Sequence, residues 1–528
     1  MRASDTDSRF RHVPWRRALP AALSGILLTA SFPPLSLWWL AWIALAPLLI
    51  AVKGMPPGKA FTLGLVAGMV HYLTLIYWIV VVLGHYGGLN VLLSVVPLLL
   101  LCAYLSLFPA LFSLLYGLFG RRPLPALLCG ACAWVGLEYV RTVFITGFPW
   151  CLLGYSQYGN LHVIQIADLF GVYGVSFIIV LSNGAAFQLW ERMVRKSVPF
   201  PKWETLLTAL CIGLTLVYGH QRLAENERTD GTSRKTVKTA VIQGNIDQSI
   251  KWDPAHQSGT LDIYEGLTNG TTDFDPDLIV WPETAVPFFF QDQGDYGQRV
   301  IALAEASKSA LLFGSPAYER TEGKLRYFNR AYLIDPEKRS VQHYDKVHLV
   351  PFGEYVPLKR FLSFIHRLVP AAGDFESGGQ MRPLPLEGVS LGVLICFEAI
   401  FPDLARRVTG RGADILVNLT NDAWFGKTSA PHQHLCMAVF RAIENRRPLI
   451  RAANTGISAT VLENGKIEAS TPLFQEAVLT STLRLPSPEN TFYTRYGDLF
   501  ARLSLILALL GAVWAKWRRK RAKAANLK

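Results

Sequence analysis

Three short stretches of this chain end on residues able to carry out nucleophilic chemistry. Val389-Ser-Leu-Gly-Val-Leu-Ile-Cys396-Phe-Glu398 runs from a mostly apolar segment into a thiol and then an acid. Asp277-Leu-Ile-Val-Trp281-Pro-Glu283 ends on a carboxylate, and Ser340-Val-Gln-His-Tyr-Asp-Lys346 ends on an amine. The first, a short apolar run, reads as a buried strand, and the other two are strand-like. A side chain placed where such a strand stops is held rigidly at the sheet edge. Three strands of one sheet, ending on one edge, would bring Cys396, Glu283 and Lys346 together although they lie far apart in sequence.

That trio has a definite chemistry. Cysteine attacks as its thiolate and needs a base or a positive neighbour. Glu283 can take the proton. Lys346 can favour the thiolate and then hold the oxyanion of a tetrahedral carbonyl adduct, with the backbone N–H of Phe397 as a second donor. A Cys–His arrangement using His432 or His434 is the alternative. A single cysteine ending a strand is more often a buried structural residue, so the case rests on the three positions together. Cys129 and Cys132 form a C-x-x-C inside an apolar run with no second pair, and no metal or nucleotide site stands out.

The elements that must position these residues divide sharply. The chain has 528 residues, 51% hydrophobic, and a mean hydropathy of +0.26, too apolar for one soluble core. Its net charge of +13 could suggest nucleic acid. The basic residues instead flank apolar runs, as at Arg16-Arg17 and Lys516-Trp-Arg-Arg-Lys-Arg521, which reads as membrane topology and anionic lipid contact. Apolar stretches near 18–35, 36–52, 60–83, 90–119, 124–140, 162–190 and 204–220 each approach the ~20 residues that cross a bilayer. The first reads as a retained helix and not a cleaved signal, because further spans follow at once.

Lys53 and Lys59, Arg121 and Arg122, and Arg192, Arg195 and Lys196 fall in alternate loops, which places those loops and the N-terminus in the cytoplasm. Seven spans leave the chain outside at about residue 220. Residues 221–490 change character, with turn signals and strand-like runs at 240–244, 310–315, 331–334 and 414–419 between the helical stretches 301–310 and 435–446, an α/β or α+β layered pattern. An eighth apolar run near 499–515 precedes the basic tail. The expected division is thus 1–220 in the membrane, 221–490 extracytoplasmic, and 491–528 a last span with a cytoplasmic tail.

Glu283 in Trp-Pro-Glu-Thr, Lys346 in Tyr-Asp-Lys-Val-His-Leu-Val-Pro-Phe-Gly-Glu354, and Cys396 in Leu-Ile-Cys-Phe-Glu resemble the three signature segments of the nitrilase superfamily, in order and with gaps of about 60 and about 50 residues. That resemblance implies a four-layer α-β-β-α sandwich. Gln243-Gly-Asn-Ile246 with Lys251-Trp252, Asn421-Asp-Ala-Trp-Phe-Gly426, Pro431-His-Gln-His434, Thr146-Gly-Phe-Pro-Trp150 and Gly154-Tyr-Ser-Gln157 are similar to segments of its membrane-embedded branch, the bacterial apolipoprotein N-acyltransferases. The implied reaction is ping-pong acyl transfer in the inner membrane, without cofactor. Cys396 takes an acyl chain from a phospholipid, typically phosphatidylethanolamine, and passes it to the N-terminal amine of a diacylglyceryl-cysteine apolipoprotein, with the catalytic domain periplasmic. The resemblance also assigns supporting roles. Glu354 is implied as an acid near the trio. Glu398 is implied either to orient Lys346 or to close a local ion pair. Trp252, Trp424 and Phe425 are implied near the lipid entrance. Phe397 stands where members of the family often carry Tyr.

A phospholipid substrate requires the domain to lean on the bilayer. Val286-Pro-Phe-Phe-Phe290 and the amphipathic stretch 361–368 are candidate flaps; packing inside the domain is the other reading. His71, Glu138 and Arg141 are costly in lipid and either line the entry side or snorkel at helix ends. Two rival functions remain at this level: a membrane-anchored amidase, in which water opens the thioester, and a non-catalytic scaffold.

Overall fold

The computed structural model describes residues 15–119, 123–229, 235–321, 323–355, 374–485 and 487–525. The first part is helical. Val91–Phe119, Leu124–Val143, Val172–Val194 and Leu499–Arg521 are long and apolar enough to cross a membrane, and Pro57–Leu75 with Ile79–Tyr86 forms a pair bent by 53°. Lys202–Thr229 carries a stripe of exposed Leu206, Leu210, Leu214 and Val217. Leu92, Leu100, Leu510 and Val513 are likewise exposed on their helices. Apolar faces of this extent are stable only against lipid or another apolar surface.

The expected span 18–35 is a 16-residue helix, Trp15–Ala30, and the helix over 204–220, Lys202–Thr229, is not among those long and apolar enough to cross. Two further expected spans take another form. Residues 36–52 are not one helix: a 3₁₀ turn, Trp38–Trp42, leads into the seven-residue helix Ala46–Val52. Pro47 stands in the first turn of that helix, where a missing N–H costs nothing. The stretch 162–190 opens with two single turns, Leu161–Ile164 and Ala167–Phe170, and its long helix begins only at Val172. Gly171 makes the break at φ +63°, and a Cβ there would lie 2.6 Å from the Tyr493 ring. Hydropathy registers apolar composition and not continuity of the helix.

The second part contains two six-stranded sheets. The first has the order β12-β1-β2-β3-β4-β5, with β1 Thr236–Gln243, β2 Leu278–Val280, β3 Ala310–Thr321, β4 Lys324–Asp335, β5 Ser340–Asp345 and β12 Ala477–Arg484. The second has the order β11-β10-β9-β8-β7-β6, with β6 Leu384–Leu386, β7 Val389–Ile395, β8 Ile415–Thr420, β9 Leu449–Ala453, β10 Ala459–Val461 and β11 Ile467–Ser470. The centre of each sheet is parallel: β1 with β2 and β3, and β7 with β8 and β9.

Period-two alternation builds the layers. Ala240, Ile242, Ile279 and Phe313 face Leu261, Tyr264, Val300 and Leu303 of the helices Gln257–Asn269 and Asp295–Ser307. Val237, Val241, Leu278, Val280 and Leu312 turn the other way, into the cluster that holds Val393 and Val417 of the second sheet. Helices Pro402–Gly410 and Ala430–Asn445 cover that second sheet, so the order is helix, sheet, sheet, helix. The single-sheet expectation is corrected here. Glu283 and Lys346 follow strands of the first sheet, whereas Cys396 follows β7 of the second, and they meet because the sheets are stacked face to face.

Candidate active site

Glu283 follows β2, Lys346 follows β5, and Cys396 follows β7. The carboxyl ends of parallel strands are where layered α/β proteins form their ligand crevices. Cys396 itself sits at φ +51°, and Thr284, next to Glu283, at φ +49°. Left-handed backbone at a residue with a Cβ costs on the order of 1 kcal/mol or more and persists where the surroundings enforce it. The sharp turn lifts the thiol off the end of the strand.

The carboxylate of Glu283 is fixed on both oxygens. Oε1 accepts from Asn329 Nδ2 at 2.8 Å, and Oε2 accepts from the Asn421 main-chain N–H at 2.8 Å. Lys346 Nζ lies 3.7 Å from Oε1 of Glu283 and 2.9 Å from the Glu354 carboxylate. Glu354 in turn accepts from Asn329 Nδ2 at 2.8 Å and from the Val350 N–H at 2.8 Å. Asn329 therefore bridges the two carboxylates, and the amine of Lys346 neutralises them from one side. Burial disfavours charge on Lys346, but Glu354 and then Glu283 outweigh it, so its pKa lies above the usual lysine range.

Cys396 is half-buried and lies within electrostatic reach of Glu283 and Lys346, with Thr420 at its sulfur. Burial and then the Glu283 charge push the thiol well above its ordinary range, while Lys346 pulls it back. A thiol in that condition stays protonated at rest. It becomes nucleophilic only as a base takes its proton, which is the chemistry a fixed carboxylate supplies.

The remaining expected residues take varied places. Glu398 does not reach Lys346, and among the described residues it forms no ion pair. Its carboxylate accepts from the N–H groups of Ile395, Val347 and His348 at 2.7, 2.7 and 3.0 Å and from Tyr344 Oη at 2.9 Å. It ties the turn of the nucleophile to the loop just beyond Lys346. Phe397 packs on Phe401 at 5.2 Å and, across the junction with the helical part, on Phe148 at 6.3 Å. Phe425 lies against Trp78 and Trp150 at 5.0 and 6.0 Å, and Trp424 against Tyr86 at 6.0 Å. Trp78 and Trp150 both donate from Nε1 to Gln433 Oε1, at 3.1 and 2.8 Å. These aromatic rings form the seam between the helical part and the sandwich. Trp252 is instead half exposed and lines a cavity of about 580 Å³ with Phe288, Phe289, Tyr327 and Phe375. Phe290 is core, against Phe313 and Tyr332. Residues 361–368 lie outside the described residues.

His434 contacts Cys396 at its carbonyl, Nε2 to O at 3.2 Å, and its other ring nitrogen lies 3.1 Å from Asp422. Asp422 is also paired with Arg451 at 2.6 Å. This buried set braces the backbone of the nucleophile. Sequence reasoning missed Asn329, a polar residue in mid-strand whose one signal is that it interrupts the apolar run of β4.

Residues 24–185 match the family described as apolipoprotein N-acyltransferase N-terminal domain, and residues 238–491 match carbon-nitrogen hydrolase. Over 97% of its length the chain is 46% identical to the apolipoprotein N-acyltransferase of Geobacter metallireducens, covering 97% of that protein. The chain belongs to the apolipoprotein N-acyltransferase family. It is also 34% identical to the Pseudomonas putida protein of the same name, over 94% of this chain and 96% of that one. An amidase from Nesterenkonia sp. is similar in structure, with a TM-score of 0.37 and 20% identity over 51% of this chain and 95% of that one.

Glu283 is held by close packing as well as by hydrogen bonds. A Cβ on Gly314 would fall 2.8 Å from the Glu283 Cα and nearer still to the Thr284 nitrogen. Gly314→Ala is expected to cost about 1–3 kcal/mol and to displace Glu283, lowering the rate of thiol acylation more than donor binding. Thermal melting together with single-turnover acylation checks this; an unchanged rate would show that the turn tolerates the added carbon.

Proposed function

We propose that this chain is a membrane-embedded thiol acyltransferase that moves an acyl group from a phospholipid to the N-terminal amine of a diacylglyceryl-cysteine apolipoprotein. One observation carries the reading beyond a generic nitrilase-type site. Phe397, directly after the thiol, packs on Phe148 of the helical part, so the nucleophile lies at the seam between the sandwich and helices whose outer faces are apolar. A soluble amide would not need that placement.

In the first half-reaction Glu283 takes the proton of Cys396 as sulfur bonds to the ester carbonyl carbon. Lys346 and the Phe397 N–H face the oxyanion. The ester C–O bond then breaks, Glu283 returns the proton to the departing alkoxide, and a lysophospholipid leaves. In the second, the amine nitrogen attacks the thioester and gives its proton to Glu283. The C–S bond breaks, and the thiolate recovers that proton. Glu354 keeps Lys346 charged, and Glu398 holds the loop that carries it. The assignment Glu283, Lys346 and Cys396, the phosphatidylethanolamine donor and the ping-pong order all belong to this proposal. So do eight crossings of a bacterial inner membrane, a periplasmic domain at 221–490 between membrane parts at 1–220 and 491–528, and cytoplasmic termini.

The test is a choice of acceptor. Enzyme loaded with an acyl chain should surrender it to a diacylglyceryl-cysteine peptide with a free N-terminus and keep it when that amine is acetylated. Loss of the chain to water at the same rate without peptide would favour the amidase reading.

The cavity beside Trp252 is the proposed seat of acyl-chain contact. Phe289 lines it and packs on Tyr318 at 5.1 Å. Phe289→Ser should leave the melting temperature nearly unchanged while slowing acylation by long-chain donors several-fold, because a side chain of this size is worth about 1.5–3 kcal/mol of apolar burial. Equal rates with long- and short-chain donors in the variant and the parent would remove the cavity from the lipid path.

A further inference from the structure

Lys251 is a buried amine that the mechanism above does not use. It lies between β1 and the helix Gln257–Asn269 and is only 1% exposed. The neighbouring Trp252 turns outward to the cavity, so this short turn sends one side chain to the substrate side and the other inward to the base. Nζ of Lys251 donates to the main-chain oxygen of Glu283 at 3.3 Å and makes no salt bridge among the described residues. The charged groups it feels are Glu283 and Cys396. Burying an amine without a salt bridge costs stability that an apolar residue of the same length would not. Its position is informative for that reason: the two groups beside it are the ones that exchange a proton.

We propose that Lys251 is a further positioning residue of the acyl-transfer reaction, fixing Glu283 through its main-chain carbonyl and presenting a second positive group to the Glu283–Cys396 pair. When the proton moves from sulfur, or the attacked carbonyl becomes an oxyanion, negative charge grows where Lys251 has no fixed partner. The carboxylate of Glu283 is neutralised in that step, so the charge that attracts Lys251 passes from Glu283 to sulfur and then to the attacked oxygen, and the ammonium favours the step by stabilising it there.

Burial lowers the pKa of Lys251 to about 7, against the opposing pull of Glu283 and Cys396. The ammonium is therefore present below neutrality and lost above it. The other groups facing the thiol titrate elsewhere or not in this direction. Lys346 is held charged by Glu354, the pKa of His348 is pushed down to about 4 by burial and by Lys346, that of His434 is lowered by burial and Arg451, and that of Asp422 lies below the usual carboxylate range.

The role rests on the thiol acyl-transfer reading, and the test is chosen so that the two can fail separately. The rate of Cys396 alkylation by iodoacetamide, followed by peptide mass spectrometry on the full-length enzyme in detergent, needs no lipid. In the wild type the logarithm of the rate should climb by less than one unit per pH unit around pH 7, as the ammonium that favours the thiolate is lost. In Lys251→Met the rate should fall about tenfold at pH 6, one unit of thiol pKa, and converge on the wild type by pH 9. Lys251→Arg, charged at every pH, should remove the shallow region and keep the acidic rate. A ratio of wild type to Lys251→Met that is constant across pH would reduce Lys251 to a structural role. Identical profiles in all three proteins would remove it from the site. If Lys251→Met does not fold, the wild-type curve decides alone: a uniform slope of one overturns the proposal. A positive result here with no lipid-derived adduct would uphold Lys251 and reject the lipid donor.

Discussion

Cys396→Ala is expected to abolish acyl transfer while leaving the fold intact. In the proposed reaction the Cys396 sulfur is the one atom that must bond to the acyl carbon, and removal of a covalent nucleophile costs on the order of 10⁴-fold or more in rate. The side chain removed is small, and the left-handed turn at Cys396 is enforced from outside, by Asn418 and His434 at its carbonyl and by Glu398 at the preceding N–H. The variant should therefore melt within a few degrees of the parent and still bind donor. Residual turnover within tenfold of the wild type would show that the acyl group never passes through sulfur. Cys396→Ser is the sharper control. Its hydroxyl is less acidic than the thiol and would need the same proton removed by the same Glu283, so an acyl-oxygen ester should form slowly and then persist.

Lys346→Met is the second large effect, and it acts on both rate and stability. Lys346 Nζ lies between the carboxylates of Glu283 and Glu354, at 3.7 and 2.9 Å, and is itself 1% exposed. Without it two buried acids share Asn329 with no cation between them. Breaking a buried pair in this way costs about 3–5 kcal/mol, because the charge left behind stays desolvated. The melting temperature should drop by many degrees and acylation should vanish. Adding Glu354→Gln to Lys346→Met removes one of the stranded charges and should recover part of the stability but none of the activity. Recovery of both would mean that Lys346 is structural. Wild-type stability in Lys346→Met alone would contradict the geometry of the site.

The parts of this arrangement that were legible in the sequence share a physical basis. Strand-like runs, apolar before Glu283 and Cys396 and alternating before Lys346, mark strand ends, and strand ends are where rigid side chains gather. The runs at 240–244, 310–315, 331–334 and 414–419 all lie in or overlap strands for the same reason. Which sheet each strand joins is a matter of long-range pairing, which local pattern does not encode, so Cys396 was expected in the sheet of Glu283 and Lys346. Asn329 and Lys251 were not read as site residues because each is a single polar residue whose meaning depends on what lies across from it. Glu398 was expected either to orient Lys346 or to close a local ion pair. Its carboxylate accepts from Tyr344 and from main-chain N–H groups on both sides, which any sequence could supply. Phe290 belongs to the core and Phe289 to a cavity wall, although they are adjacent in an apolar tip. Among the helices, composition located the apolar stretches, but the breaks at residues 43–46 and at Gly171 depend on local backbone conformation. The part of the lipid-flap expectation at 361–368 lies outside the described residues.

In the proposed reaction an acyl chain from a membrane lipid rests on Cys396 before an amine receives it. Intact-protein mass spectrometry after incubation with phosphatidylethanolamine alone tests it most directly. A mass gain of one acyl chain is expected on the wild type, none on Cys396→Ala, and its disappearance when a diacylglyceryl-cysteine peptide with a free N-terminus is added. A folded wild-type enzyme that gains no mass from phospholipid, or an adduct that persists in Cys396→Ala, would contradict it.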